Sequence, residues 1–548
     1  MGGRIPWLMT PPSPKTATPP LGGVRQGEDC ETEEGKRTMV QAVYDVTSSG
    51  KPDAPAVGAP GRPWLTFAGL KKLVDDTLAT LNGVGIGRGD RVAMVVPNGP
   101  EAATSFVSVA SGTTSAPLNP AYRAEEFQFY IDDLKPKAVI VPKGLESPVR
   151  EVAQKLAVPI IELVPTDGAP AGVFTLDVSA LKPAKAAKPG VSSNGEIALV
   201  LHTSGTTARP KIVPLATANL AASARHIGAT LRLTPSDRCM NIMPLFHIHG
   251  LIAATLSSLA AGASVSCTPG FNALRFFAWL EEVKPTWYTA VPTMHQAILG
   301  RVRGNAEAAK AAKLRFIRSS SSSLPPQVMA ELEAAFDCPV IEAYGMTEAS
   351  HQMASNALPP GKRKAGAVGL PAGPKISIMD EAGNILPQGQ TGEVVIQGPN
   401  VTAGYDNNPD ANAKAFTNGW FRTGDQGYFD EDGYLFLNGR LKEIINRGGE
   451  KISPIEIDVI LMDHPSVEQC LTFAIPHAKL GEEVGAVVVL RSGCECTERE
   501  LRDFVAARAA DFKVPRKVLF VTEIPKGATG KLQRIGLAAK LGLAEATT

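Results

Sequence analysis

From about residue 40 the apolar positions follow two alternating periods. Thr66 predicts an N-cap, and Phe67, Leu70, Leu73, Val74, Leu78 and Leu81 then recur at helical spacing. The apolar run 92–96, bounded by Gly89-Asp90 and Pro97-Asn98, predicts a buried strand. The same rhythm returns at 138–141, 197–201, 287–290, 315–318 and 340–344, with helical stretches between. Alternation of this kind predicts parallel strands covered by helices. After about 365 the texture changes to Gly-punctuated strands, at 376–379 and 393–397. A hairpin, 428–429 with 434–437, follows around Asp430-Glu431-Asp432-Gly433, and the region predicts a small antiparallel β-barrel. Beyond Arg440 a new cycle starts, with a helix at 454–462, strands at 470–475 and 485–490, and a capping box, Thr497 with Glu500, opening another helix. The pattern divides the chain into 1–38, 39–439 and 440–548. It predicts an α/β fold, with a large N-terminal domain of helix-covered sheets and a small α+β C-terminal domain.

Composition narrows the functional field. At 548 residues the chain is too long for one compact core. A net charge of +1 argues against a protein built around nucleic acid or an anionic membrane surface. Hydrophobic residues make up 44%, as in soluble globular proteins, and the absence of an eighteen-residue apolar run excludes a transmembrane helix. The seven cysteines offer one close pair, Cys494 and Cys496, without a second ligand pair, so reduced thiols are expected rather than a zinc site. Residues 1–38 carry Pro6, Pro11, Pro12, Pro14, Pro19 and Pro20 without apolar periodicity and predict a disordered extension, with Met39 as an alternative start. Acids between Glu28 and Glu34 weaken a transit-peptide reading. With no Ser-Lys-Leu address at the C-terminus, the cytosol is the expected compartment and the peroxisome the second.

Five polar segments carry candidate chemistry. In the first, Thr203, Ser204, Gly205, Thr206 and Thr207 follow a buried strand and precede Lys211, which suits a loop wrapping a polyphosphate with hydroxyls, backbone N–H groups and one cation. It is not a Walker A loop. The second, Glu342-Ala343-Tyr344-Gly345-Met346-Thr347-Glu348, offers an aromatic ring for a base and a carboxylate for a metal-bound phosphate. The third, Thr423-Gly424-Asp425, offers a carboxylate to ribose hydroxyls. The fourth runs from Gly439 to Lys451 across the proposed domain boundary, and the fifth sets Lys531 at the tip of a Gly-flanked loop. Each alone has a plain reading as a surface turn, a linker or a solvated lysine.

Together, in this order, they resemble the adenylate-forming superfamily of acyl-CoA synthetases, 4-coumarate–CoA ligases and firefly luciferase, over residues 40–540. The resemblance implies that ATP, Mg²⁺ and coenzyme A are used. A carboxylic acid would be adenylated with release of pyrophosphate, then passed to the CoA thiol. It further implies that Thr203, Ser204, Gly205, Thr206, Thr207 and Lys211 hold the β- and γ-phosphates, with Thr206 and Glu348 near Mg²⁺. Glu342 and Ala343 would line the nucleotide site, Tyr344 would stack on adenine, Thr347 would contact the α-phosphate, and Asp425 and Arg440 would hold the ribose. Lys531 would be the catalytic lysine, His247 the gate residue, Lys442 the hinge, and Gly448, Gly449 and Lys451 the pantetheine path. A monomer or weak dimer is implied. Ala208 and Ile212 stand where the family usually has glycine, so Ile212 is expected to crowd the phosphates; Asn446 stands where 4-coumarate ligases have lysine.

The segments expected around the acid are unusually polar: His247 and His249, then Ser319 to Ser323, then His351, with His295 close by. Hydroxyls and imidazoles suit a second carboxylate on a very short acid. Pro-Leu-Phe-His-Ile-His-Gly, Trp-Tyr-Thr-Ala-Val-Pro-Thr-Met-His-Gln and Asn-Arg-Gly-Gly-Glu-Lys-Ile-Ser-Pro are similar to the oxalate–CoA ligases of plants and fungi. That resemblance implies oxalate as the acid, with His249, Ser321 and His351 as its contacts. The competing expectations are a 4-coumarate-like or medium-chain ligase and a non-catalytic nucleotide-binding paralogue.

Overall fold

The computed structural model describes residues 39–203, 210–527 and 530–543. Among them three sheets organise the chain. The first has seven strands, with Ala138–Pro142, Arg91–Met94, Thr114–Pro117 and Ile197–His202 adjacent and parallel, and Ile212–Ala216 antiparallel at one edge. The second runs parallel through Pro55–Ala59, Ser264–Cys267, Arg238–Asn241, Trp287–Ala290, Phe316–Ser320 and Val340–Met346. It then turns antiparallel at His351–Ser355 and continues through Ala367–Pro371, Leu435–Arg440, Trp420–Phe429, Gly392–Gln397 and Lys375–Met379. After Arg440 the chain builds a third sheet of five strands from Ile445–Arg447 to Lys517–Phe520.

Local chemistry explains the elements. Thr66 caps the helix Phe67–Gly83 by accepting from the Gly69 N–H at 3.1 Å, and the predicted apolar face is buried. The helix Pro100–Ala110 is buried almost all round, because it lies between the first two sheets in one apolar cluster with both. Trp287–Ala290 and Pro454–Met462 match their predicted bounds, and the Thr497–Glu500 capping box opens the helix Glu498–Ala506. The strand expected at 315–318 begins and ends later, at Phe316–Ser320, which carries the serine run into the interior. After His247 the chain enters a π-helix, His249–Leu256, a rare widening of the helical turn that no periodicity announces. Thr203, His247, Ser321 and Thr347 each lie beyond the carboxyl end of a parallel strand, the place where open α/β sheets bind ligands.

Candidate active site

On the nucleotide side Thr203 and Lys211 close the base of the first motif. The Thr203 N–H donates to the Lys211 carbonyl at 2.9 Å, and the Lys211 N–H to Thr203 Oγ1 at 3.2 Å. Ser204, Gly205, Thr206 and Thr207, with Ala208, lie outside the described residues. Ile212 does not crowd the phosphates as expected. It sits in Ile212–Ala216 and buries its side chain in the cluster of Phe127, Val141 and Val200, so strand alternation turns it away. Lys211 rests over the Tyr405 ring, 4.1 Å from its centroid, and Tyr405 Oη donates to Glu348 Oε1 at 2.8 Å. Burial holds the Lys211 pKa below its usual value, opposed by the nearby Glu348 charge.

Asp425 and Arg440 are register partners in the hairpin of Trp420–Phe429 with Leu435–Arg440, with Arg440 Nε 3.7 Å from Asp425 Oδ1. The buried Tyr344 donates its hydroxyl to Asp425 and is held beside the expected ribose site. Thr347 is half-buried at the exit of Val340–Met346. Ala343, on that strand, is buried, and its carbonyl accepts from Ser320 Oγ at 2.8 Å. Glu342 points elsewhere: Oε1 accepts from the Leu324 N–H at 2.9 Å, and burial pushes its pKa up to about 8.

Lys531 reaches this face from a loop that follows Lys517–Phe520, the last strand of the third sheet. Its loop is pinned where Thr293 Oγ1 donates to the Gly530 carbonyl at 2.7 Å. Burial and the nearby Arg440 charge lower the Lys531 pKa to about 8, against the opposing pull of Asp425 and Glu348. Lys442 is exposed just after Arg440. Gly448 and Gly449, both with positive φ, form the two-residue turn between Ile445–Arg447 and Glu450–Ile452, with Lys451 exposed beside them. The structure therefore carries these three on the small sheet.

The segments expected around the acid form a buried polar cluster. His249 is fully buried, its Nδ1 3.0 Å from Ser321 Oγ and its Nε2 2.6 Å from Thr289 Oγ1. The His351 ring lies 4.9 Å from that of His249, and neither of its nitrogens has a hydrogen-bond partner among the described residues. Beside them is Arg318, 0% exposed on Phe316–Ser320 and in register with Thr289. Its guanidinium makes only long contacts, 3.5 Å to His249 and Thr289 and 3.4 Å to Gln352, and Nε has none. No carboxylate pairs with it among the described residues, and burial pushes its pKa down to about 9. Burial holds both histidines neutral, and both feel the charges of Arg318 and Lys531. His247, at the mouth, accepts from the His249 N–H at 3.3 Å, and burial with the Lys531 charge lowers its pKa to about 3. His295 packs instead against Tyr288, ring centroids 5.7 Å apart.

The backbone here is strained. Ser321, Ser350 and His351 have φ of 76°, 50° and 99°, a region that costs an L-residue about 1–3 kcal/mol. A Cβ on Gly345 would fall 1.8 Å from the His351 carbonyl, so only glycine lets the two strands meet. Arg318, Thr289, Gln352 and Tyr405 are absent from the sequence-based set. The signal for Arg318 was a charged residue between Ile317 and Ser319 on a strand whose neighbours predict burial on both faces. Among the described residues no three His, Cys, Asp or Glu side chains cluster to hold a metal. Glu348 alone fits Mg²⁺ in the way that ion is usually held, by one carboxylate plus substrate phosphates.

Comparison with known proteins agrees. Residues 44–406 match the family model for AMP-binding enzyme, and 456–531 that for the AMP-binding enzyme C-terminal domain. The oxalate–CoA ligase of Arabidopsis thaliana is 46% identical over 489 residues, 88% of this chain and 95% of that one. The oxalate–CoA ligase of Saccharomyces cerevisiae is 44% identical over 470 residues, 82% and 86% of the two chains. ATP-bound MatB from Rhodopseudomonas palustris superposes with a TM-score of 0.82 at 29% identity, covering 92% of this chain and 99% of its own. With its motifs, sheets and relatives in agreement, the chain belongs to the AMP-binding enzyme family.

Proposed function

We propose that this protein is an ATP-dependent, AMP-forming oxalate–CoA ligase. The observation that carries the reading is Arg318, a buried guanidinium that no carboxylate among the described residues pairs, set among His249, Ser321 and His351. An unpaired buried cation is costly, and an anionic group on the substrate supplies what the protein withholds. Both histidines feel the charges of Arg318 and Lys531, and a short dianion offers one carboxylate to each cation. The oxalate–CoA ligases among the relatives support the choice of acid.

In the first step a carboxylate oxygen of oxalate attacks the α-phosphorus of ATP, and the bond to pyrophosphate breaks. Lys531, still cationic at neutral pH, would neutralise charge that develops between the two anions. His247 and His249 stay neutral and orient without adding charge. Mg²⁺, when bound at Glu348 and the phosphates, would neutralise the leaving pyrophosphate. In the second step the CoA thiolate attacks the oxalyl carbon and AMP departs. Rotation about Lys442 would withdraw Lys531 and bring Gly448, Gly449 and Lys451 to the pantetheine.

Pyrophosphate release by the purified protein, with oxalate, malonate, octanoate or 4-coumarate and with or without CoA, tests the reading. CoA-dependent turnover with oxalate is expected. Turnover with octanoate or 4-coumarate but not oxalate would remove the diacid pocket and leave the adenylation chemistry standing.

A further inference from the structure

The segment 402–406 joins the phosphate strand to the metal-side carboxylate. The Thr402 N–H donates to the Glu348 carbonyl at 2.7 Å, and its hydroxyl to the Pro214 carbonyl at 2.7 Å. The Asp406 N–H donates to the Ile212 carbonyl at 3.0 Å, and its carboxylate accepts from Arg91 at 2.5 Å. Between these anchors Tyr405 is held at both backbone groups by one side chain: its N–H donates to Asn412 Oδ1 at 2.7 Å, and its carbonyl accepts from Asn412 Nδ2 at 2.8 Å. A Cβ on Gly404, at φ 141°, would lie 2.8 Å from that Oδ1, so the approach needs glycine. The ring is 8% exposed and packs near Phe421.

We propose that Tyr405 is a positioning residue that keeps Lys211 and Glu348 apart while aiming both at the nucleotide. Lys211 lies on its face at 4.1 Å from the centroid, and its hydroxyl holds Glu348 Oε1 at 2.8 Å. An ammonium and a carboxylate gathered on one ring, their charges already coupled, would otherwise collapse onto each other, and neither would be free for a phosphate or a cation. The ring offers the lysine an attraction that a phosphate can outcompete, and fixes the carboxylate by one hydrogen bond that leaves its other oxygen for a metal. The inference is independent of which acid the enzyme uses.

The two contacts can be removed separately in the full-length protein. Tyr405→Phe keeps the ring and loses the hydroxyl; Tyr405→Leu loses both. ATP binding without acid substrate, followed by calorimetry in EDTA and across a Mg²⁺ series, reads each one. In Tyr405→Phe the EDTA affinity should stay within about twofold, while the Mg²⁺ needed to tighten binding rises about tenfold, the effect of losing one hydrogen bond to a charged group. Tyr405→Leu should lose about fivefold more in EDTA as well. The proposal fails if Tyr405→Phe keeps the wild-type Mg²⁺ dependence. It also fails if each variant loses affinity by one common factor with and without Mg²⁺, as a purely structural role requires. Tyr405→Phe alone decides the matter should Tyr405→Leu not fold.

Discussion

Two arginines in this molecule are withdrawn from solvent and live by opposite rules. Arg534, 17% exposed in the C-terminal part, donates to Asp458, lies 3.5 Å from Glu443 and gives its Nε–H to the Thr472 carbonyl at 3.0 Å. Burial works against its charge, but Asp458 and Glu443 more than restore it, and its pKa is raised. Arg318, 0% exposed at the centre of the large sheet, has among the described residues only neutral partners at 3.4–3.5 Å, and its pKa falls to about 9. A cation supplied with its own carboxylates belongs to the fold. A cation left without them, beside strained backbone and the unpartnered imidazole of His351, is on the proposed reading left for a ligand.

Exchanging each arginine for methionine should separate the two most sharply. Arg318→Met is expected to lower kcat/KM for oxalate by about 100- to 1000-fold, the cost of removing one partner of a buried charge pair, with the melting temperature unchanged or raised. Arg534→Met should reverse the pattern, destabilising by about 3 kcal/mol in denaturant while the folded fraction keeps its oxalate preference. Equal losses of stability in both would erase the distinction.

Lys531 stands between these extremes, its cation partly balanced by Asp425 and Glu348. With its pKa lowered from 10.5 to about 8, the ammonium persists below pH 8 and is lost above it. The kcat/KM of adenylation should therefore hold from pH 6 to 7.5 and fall above about 8. Lys531→Arg should be slower at every pH but lose that alkaline limb. A limb retained in the arginine variant would assign the titration to another group.

The smallest effect lies at the surface. Lys72 and Asp76 pair at 2.6 Å on an exposed helix face, 76% and 63% exposed. Asp76→Asn should shift stability by less than about 0.5 kcal/mol, because water already screens the pair. A larger shift would mean that pairing matters regardless of burial, against the contrast drawn from the two arginines.

Much of the frame is legible in the chain itself. Trp287–Ala290, Pro454–Met462 and the helix behind Thr66 obey local rules of period and capping, which act over a few residues and leave their mark in the order of side chains. The motif loops are legible for the same reason: Thr203, Lys211, Tyr344, Glu348 and Asp425 recur as short strings beside strands. The histidine and serine segments are likewise legible as polar, and the structure joins His249 to Ser321. Burial, register and contact across hundreds of positions leave no such mark. Whether Ile212 faces phosphates or core depends on which side of a strand it takes. Glu342, one strand position from Ala343, turns to Leu324. Thr289 meets Arg318 because two strands align, and Tyr405 meets Lys211 and Glu348 because a distant segment folds back between them. Elements and motif strings can be read along the chain because period, capping and turn chemistry act between near neighbours, and the class of chemistry follows from the resemblance those strings carry. Which charges stay unpaired is settled instead by what distant strands place around them.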